Sequence, residues 1–499
     1  METIFSAAMG ELAARSISFL IDRYLKPAKS KEESIQRLQM MILRVRLTIE
    51  EAEGRCITNQ AMLWQLHLLR NVMYRGSYML DTFIQQLPEE EDKDHGVSRS
   101  LSLSRFNPAK RVCFSAGSKY GMKELEQMLE SVEITVAGMS EFVVFLRNYP
   151  PMFRQPYSSH LFTERCIFGR QMEMDRVINF LLHEEPPSES NIGVLPIVGP
   201  GKVGKTTLVE HACFDERVRN HFSRIIFLSE NDFREASKGR DEGRIKHQHS
   251  ESNDEKFLLI IEQVGHFDES SWKQLHSASQ CSIPAGSKII ITSQSENIAS
   301  FGTTRALSLK LLSREAYWYY FKVLVFGSVD LEGQPKLASI AMEILDELFD
   351  QDKYARFTGL FLNLKYTAYF LRASIGVHSW RRILGFIKDN RKQNESLSRK
   401  GLNDFGAESD RIFLRRVSET AQFCVFQKYD GMGHEKEEAP KVSLLETISG
   451  SVSPHGKFDV LIWKSHLPAY HKHIYSCEIL ESENNATRNK QGPKRKTLS

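Results

Sequence analysis

The stretch Gly199-Pro200-Gly201-Lys202-Val203-Gly204-Lys205-Thr206-Thr207 decides how the rest of the chain is read. It fits G-x-x-x-x-G-K-[ST]; the apolar run Ile192 to Val198 leads into it, and Thr207 to Ala212 reads as helix. Strand, glycine loop and helix in that order describe a phosphate site, because glycines let the backbone curl until its N–H groups face a β-phosphate at the positive end of a helix. Lys205 is expected to reach the β- and γ-phosphates, and the Thr206 hydroxyl to ligate Mg²⁺. The bland alternative, a glycine-rich turn with an accidental lysine, does not account for the strand before it and the helix after it. The loop therefore predicts a parallel α/β domain that binds a di- or triphosphate.

At 499 residues the chain is too long for one core and is expected to hold two to four domains. A net charge of +3 gives no general case for nucleic acid, since a basic binding face would tilt the balance further. The 7 cysteines are scattered and form no C-x-x-C pair, which argues for a reducing compartment and against a structural zinc site. Glu2 precedes any basic residue in METIFSAAMGELAARS, so the start does not read as a signal peptide, and no apolar run is long enough to span a bilayer. The expectation is a soluble, cytoplasmic protein, compatible with a peripheral membrane or nuclear pool.

Ahead of the loop, residues 31–54 carry Ile35, Leu38, Ile42, Val45, Ile49 and Ala52 at alternating steps of three and four. The same spacing recurs over 60–87 (Met62, Leu66, Leu69, Met73, Gly76, Leu80, Ile84, Leu87) and over 122–147 (Leu125, Leu129, Val132, Val136, Met139, Val143, Leu146). A shorter first helix uses Phe5, Met9, Leu12 and Phe19. One narrow stripe per helix predicts a small helical, coiled-coil-like bundle, a partner-binding module rather than a catalytic one. An acidic stretch, Glu89 to Asp94, and a Ser/Arg-rich run to Arg111 read as a loop between the last two helices.

Leu69 to Asp81 resembles the third helix of the Rx-type N-terminal domain of plant NLR disease-resistance proteins. Those proteins usually carry Glu-Asp-Val-Ile-Asp there, a signature that docks on the receptor's other domains; this chain has Ser77-Tyr78-Met79-Leu80-Asp81, keeping only the final Asp. After a proline-marked linker, Phe168-Gly169-Arg170 resembles the nucleoside-side Gly-Arg of NB-ARC domains, the nucleotide switch of that family. The resemblance continues in order through Arg224–Ser229, the Walker B strand Phe257–Ile261, Gly286–Ser293 and a fifth strand Ala306–Leu311. Helical stretches follow (Ser313–Val325, Leu337–Phe349, Phe357–Ala373, Trp380–Asp389), matching the first ARC subdomain.

Three departures from that family bear on chemistry. Where it places two aspartates after the Walker B strand, this chain has Glu262-Gln263: Glu262 keeps a carboxylate for Mg²⁺, while Gln263 cannot take a proton from an attacking water. An Arg that senses the γ-phosphate is replaced by Gln294, which loses the charge-assisted contact. Gly-Leu-Pro-Leu becomes Gly359-Leu360-Phe361-Leu362, where Phe361 either stacks on the base or crowds it. The segment joining Ser229 to Phe257 needs a crossover helix but is almost wholly polar; its His247 and His249 read as solvated rather than metal-binding.

Downstream, no Met-His-Asp triplet and no leucine-rich repeat occur, although the family resemblance would imply both. Residues 391–455 are polar and weakly periodic apart from Ile412 to Phe426, and Lys457–Trp463 and His473–Leu480 read as two strands. His466, His471 and His473 nearby read as surface histidines, and Lys494-Arg495-Lys496 as a solvated end.

The expected organisation is a helical bundle (1–149), a linker (150–165), a P-loop nucleotide-binding domain (166–312), an ARC-like helical subdomain (313–395), a small irregular C-terminal region (396–480) and a polar tail (481–499). The resemblance implies ADP or ATP with Mg²⁺ as ligand, and partners among other NLR-type or defence-signalling proteins met through the bundle. Three readings stay open: a regulator, decoy or helper that binds nucleotide and hydrolyses it weakly, an active P-loop ATPase, and a nucleotide-independent scaffold.

Overall fold

Periodic apolar stripes become helices and short apolar runs become strands in the computed structural model, which describes residues 31–55, 57–85, 121–150, 168–183, 192–228, 256–262, 272, 284, 286–327, 334–349, 359–399, 411–416, 422–428, 440–452, 456–465, 467 and 471–481. The expected first helix, the acidic loop, the polar segment 229–255 with its His247 and His249, Gln263 and the tail from 482 on lie outside those residues. Two compact units divide the chain: Met1–Asp175 with Leu312–Met342, and Arg176–Leu311 with Glu343–Ser499.

The first unit contains helices α1 (Lys31–Glu53), α2 (Gln60–Gln85) and α3 (Met122–Leu146). Leu38, Ile42, Val45, Ile49 and Ala52 of α1 are buried, as are Leu125, Leu129, Val132, Val136 and Leu146 of α3, so the expected stripes are the core. Asn59 caps α2 by accepting from Ala61 N (2.8 Å) and Met62 N (3.3 Å). Helix α4 (Gln171–Leu182) starts in this unit, and α7 (Arg314–Phe326) belongs to it. Asp81 of α2 is buried; its carboxylate accepts from Trp318 Nε1 (2.8 Å) and from Lys322 Nζ (2.8 Å) of α7. Asp81 is therefore docked, and its partners are an indole and an ammonium on one helix face.

The second unit is built on five parallel strands, β1 (Gly193–Val198), β2 (Arg224–Leu228), β3 (Phe257–Glu262), β4 (Lys288–Ser293) and β5 (Leu307–Ser308), in the order β2-β3-β4-β1-β5. Strands β1 and β4 are buried along their whole length, as expected of central parallel strands. Beside the sheet lie α5 (Lys205–Phe214) and α6 (Glu216–His221). Strand β5 pairs over two residues only, shorter than the expected run; beyond it Leu309 N still reaches Val198 O (2.7 Å), so the chain follows β1 without forming a full ladder.

Helices α8 (Pro335–Phe349), α9 (Leu360–Ala373) and α10 (Val377–Arg399) follow, the last running past the expected end at Asp389. The C-terminal region is not irregular: β6 (Arg411–Arg415), β7 (Gln422–Lys428), β8 (Lys457–Lys464) and β9 (Lys472–Glu481) form an antiparallel sheet in the order β6-β7-β9-β8. Cys424 and Phe426 on β7, Val460 and Ile462 on β8, and Tyr475 and Cys477 on β9 alternate inward. They bury against α11 (Leu444–Ser449) and against Leu362, Tyr366 and Phe370 of α9. The two strands expected at Lys457–Trp463 and His473–Leu480 are β8 and β9, whereas β6 and β7 were not expected as strands.

Candidate functional site

The phosphate loop leaves the carboxyl end of β1, whose two neighbours, β4 and β5, flank it on opposite sides; parallel sheets bind ligands at such a point. Lys202 takes φ 61° and Gly204 φ 99°, left-handed values that turn the chain sharply. A glycine suits the second position because Gly204 is also the N-cap of α5, its carbonyl accepting from Leu208 N at 2.9 Å. Val203 is buried and anchors the loop, while Pro200 and Gly201 are exposed.

Lys205 and Thr206 fall in the first turn of α5, with Thr207 half-buried behind them. Lys205 Nζ donates to the carbonyls of Gly199 (2.8 Å) and Pro200 (2.9 Å). Burial pushes the Lys205 ammonium down to about 8, with Glu262 opposing that shift and Lys202 adding to it. Thr206 Oγ1 donates to Glu262 Oε1 at 2.6 Å, so the loop hydroxyl meets the carboxylate that ends β3. Two oxygen donors side by side at a phosphate loop match the donor set of a hard cation such as Mg²⁺.

Gln294 follows β4 with its amide beside the loop: a Cβ placed on Gly201 would lie 3.3 Å from it. Gly359 has φ 82°, and a Cβ there would come within 2.8 Å of both Cβ and O of Lys202. Only glycine lets the start of α9 lie this close to the loop. Leu360 is buried and Phe361 half-buried in the first turn of that helix. Gln263 lies outside the described residues.

Phe168, Gly169 and Arg170 are in the first unit. Phe168 is buried among aromatic rings, 5.5 Å from Tyr74 and 5.2 Å from Tyr320 between centroids. Gly169 has φ 71°, and Arg170, also buried, pairs with Glu173 at 3.0 Å.

Three residues at the second unit's site were not legible beforehand. Glu210, on α5, is 1 % exposed; it accepts from Ser465 Oγ (2.8 Å) and pairs with His471 Nδ1 (2.8 Å). His471 is thus not a plain surface histidine: it is held by a buried carboxylate, lies edge-on to Phe227 and places Nε2 4.0 Å from Glu262 Oε2. No local spacing signals this, because Glu210 and His471 are 261 positions apart. His473 is exposed beside Trp463, in keeping with its surface reading, and His466 lies outside the described residues.

No family model matches the chain. Its curated relatives are plant disease resistance proteins, similar over 61–77% of the chain. Disease resistance protein RGA2 of Solanum bulbocastanum is 24% identical over 63% of this chain and 33% of its own length. Disease resistance RPP13-like protein 4 of Arabidopsis thaliana is 22% identical over 68% of this chain and 40% of its own length. The chain therefore spans about a third of the length of the first of these relatives. Among solved structures, domain III of the Thermotoga maritima replication initiation protein DnaA aligns loosely, with 14% identity, a TM-score of 0.27, and 46% of this chain and 95% of that chain covered.

Proposed function

We propose, taking kinship with plant disease resistance proteins as the premise, that this chain is a nucleotide-binding regulator of plant defence signalling. It holds ADP or ATP with Mg²⁺ in the Gly199–Thr207 loop and hydrolyses nucleotide only weakly. The observation that supports this best is the meeting of Thr206 Oγ1 and Glu262 Oε1 at 2.6 Å beside Lys205. Thr206 and Glu262 would hold the cation, which when bound supplies positive charge to the phosphates. Lys205 adds its charge to the β- and γ-phosphates, and the loop N–H groups orient them. Gln294 beside Gly201 orients polar groups without adding charge, which leaves the transferring phosphoryl group understabilised. Binding survives such a loss better than turnover does, since the loop holds the ground state as well.

On this reading the helical N-terminal region meets other defence-signalling proteins, and the protein works in the cytoplasm as a regulator, decoy or helper. The organisation into bundle, P-loop domain, ARC-like helices and C-terminal region is part of the same proposal. Among the described residues no helix is long and apolar enough to cross a membrane. Calorimetry with ADP, paired with steady-state turnover of ATP, tests the reading. We expect binding together with fewer than about one turnover a minute, the regime of switch-type nucleotide hydrolases without a helper residue. Many turnovers a minute, abolished in Lys205→Ala, would establish the active ATPase instead, and no binding at all would leave the scaffold.

A further inference from the structure

We propose that the C-terminal antiparallel sheet is coupled to the nucleotide site through Glu210 of α5, so that docking of the sheet on α5 and binding of a nucleoside diphosphate strengthen each other. The inference rests on the nucleotide-site reading above and adds to it a means of regulating that site from outside the parallel sheet.

The buried carboxylate carries the argument. Glu210 lies one turn beyond Thr206 on the same face of α5, the helix that starts at the phosphate loop. Both of its oxygens are engaged by the C-terminal sheet: Oε2 accepts from Ser465 Oγ (2.8 Å), and Oε1 pairs with His471 Nδ1 (2.8 Å). Ser465, itself buried, directly follows β8, and His471 directly precedes β9. Ser465 N donates to the His471 carbonyl at 2.8 Å, so the two residues hold Glu210 as one unit. A carboxylate buried this deeply is tolerable only while its hydrogen bonds are made. Releasing the sheet must therefore hydrate Glu210 and loosen α5.

A second contact leads from the same sheet to the same loop. Tyr366 Oη of α9 donates to the Ile462 carbonyl of β8, and Leu362, Tyr366 and Phe370 pack against the buried face of the sheet. That helix begins at Gly359, where a Cβ would come within 2.8 Å of Lys202. The sheet thus grips both the helix that leaves the loop and the helix that borders it. With the sheet docked, α5 and the loop are already ordered, so a nucleotide has less ordering to impose. The donors of Ser465 and His471 also offset the negative charge of Glu210, which would otherwise oppose phosphates held one turn away at Thr206. By linkage, a nucleotide that binds the docked state better must favour docking by the same factor.

The test is hydrogen exchange of the full chain, read by mass spectrometry with and without saturating ADP, beside calorimetry of ADP binding. The expected result is slower exchange in β8 and β9 as well as in the phosphate loop. The slowing should exceed any in α3, which serves as the reference for stabilisation of the whole chain by a ligand. In Ser465→Ala and in His471→Gln, ADP affinity should fall about five- to tenfold, within the usual range of coupling between sites, and the extra slowing in β8 and β9 should disappear. Thermal unfolding without nucleotide checks that each variant is folded; where one is not, the wild-type exchange decides alone. ADP that slows exchange in the loop but leaves β8 and β9 at the α3 reference would overturn the coupling and leave the nucleotide site standing. So would folded variants that bind ADP as tightly as the wild type. ADP that gives no heat and slows exchange nowhere would overturn both.

Discussion

Lys205 donates to two loop carbonyls, Gly199 O and Pro200 O, and burial holds its affinity for a proton at about 8. Desolvation is the largest cause, and a bound phosphate would reverse it by supplying opposite charge where water has been excluded. Lys205→Ala should therefore weaken ADP binding by about 2–4 kcal/mol, the range for removing one member of a buried charge-assisted contact. Stability without nucleotide should hardly change, because the lost ammonium was already poorly solvated. Calorimetry and thermal unfolding on the same preparations check both halves; equal ADP affinity in the two proteins would count against the site. The loop was legible at this scale because each position answers a local backbone demand: a left-handed turn at Gly204, a cation at Lys205, a hydroxyl at Thr206. Gly359 was legible only through the resemblance, and the reason it must be glycine, that a Cβ there would come within 2.8 Å of Lys202, is a relation between distant residues.

At the scale of elements, helices with a three-four stripe emerged within a few residues of the expected ends, whereas the C-terminal strands were only half seen. The apolar block Val460–Trp463 marked β8 beforehand, whereas β6 and β7, set in a mostly polar stretch, became strands only by pairing with each other and with β9. Pairing is what makes them strands. The docking of α2 on α7 has the same character: Asp81 is an ordinary residue until Trp318 and Lys322 surround it. Asp81→Ala would leave the buried Trp318 N–H without its acceptor and Lys322 without its counter-charge. The expected cost is about 2–3 kcal/mol, below the full penalty for a buried pair because Lys322 can reach water. Asp81→Asn, which keeps an acceptor for the indole, should recover part of it. Urea denaturation followed by far-ultraviolet circular dichroism measures the difference; a midpoint shared by all three proteins would show that the contact contributes nothing.

At the scale of the whole molecule, stability should fall in mild acid, and α5 supplies a specific reason. Burial pushes His211 down from 6.5 to about 4. Between those values the unfolded chain binds a proton that the folded chain refuses, so stability is complete above about pH 6.5 and is lost as pH falls towards 4. The contribution is up to about 3 kcal/mol, at about 1.4 kcal/mol per unit. His211→Gln should flatten this part of the pH profile in denaturation measurements; a profile of unchanged slope would refute the assignment. Taken by itself, the sequence determined the phosphate loop, the apolar strands of the parallel sheet and the striped helices, because each is dictated by residues within one or two turns of chain. It could not determine that β1 lies between β4 and β5, that Asp81 meets Trp318 across 237 positions, or that Glu210 holds His471 across 261. Those contacts join residues whose separation follows no helical or strand period, so they leave no pattern along the chain. Only the folded backbone brings them within reach, and the buried Glu210 carboxylate then has a use for the histidine.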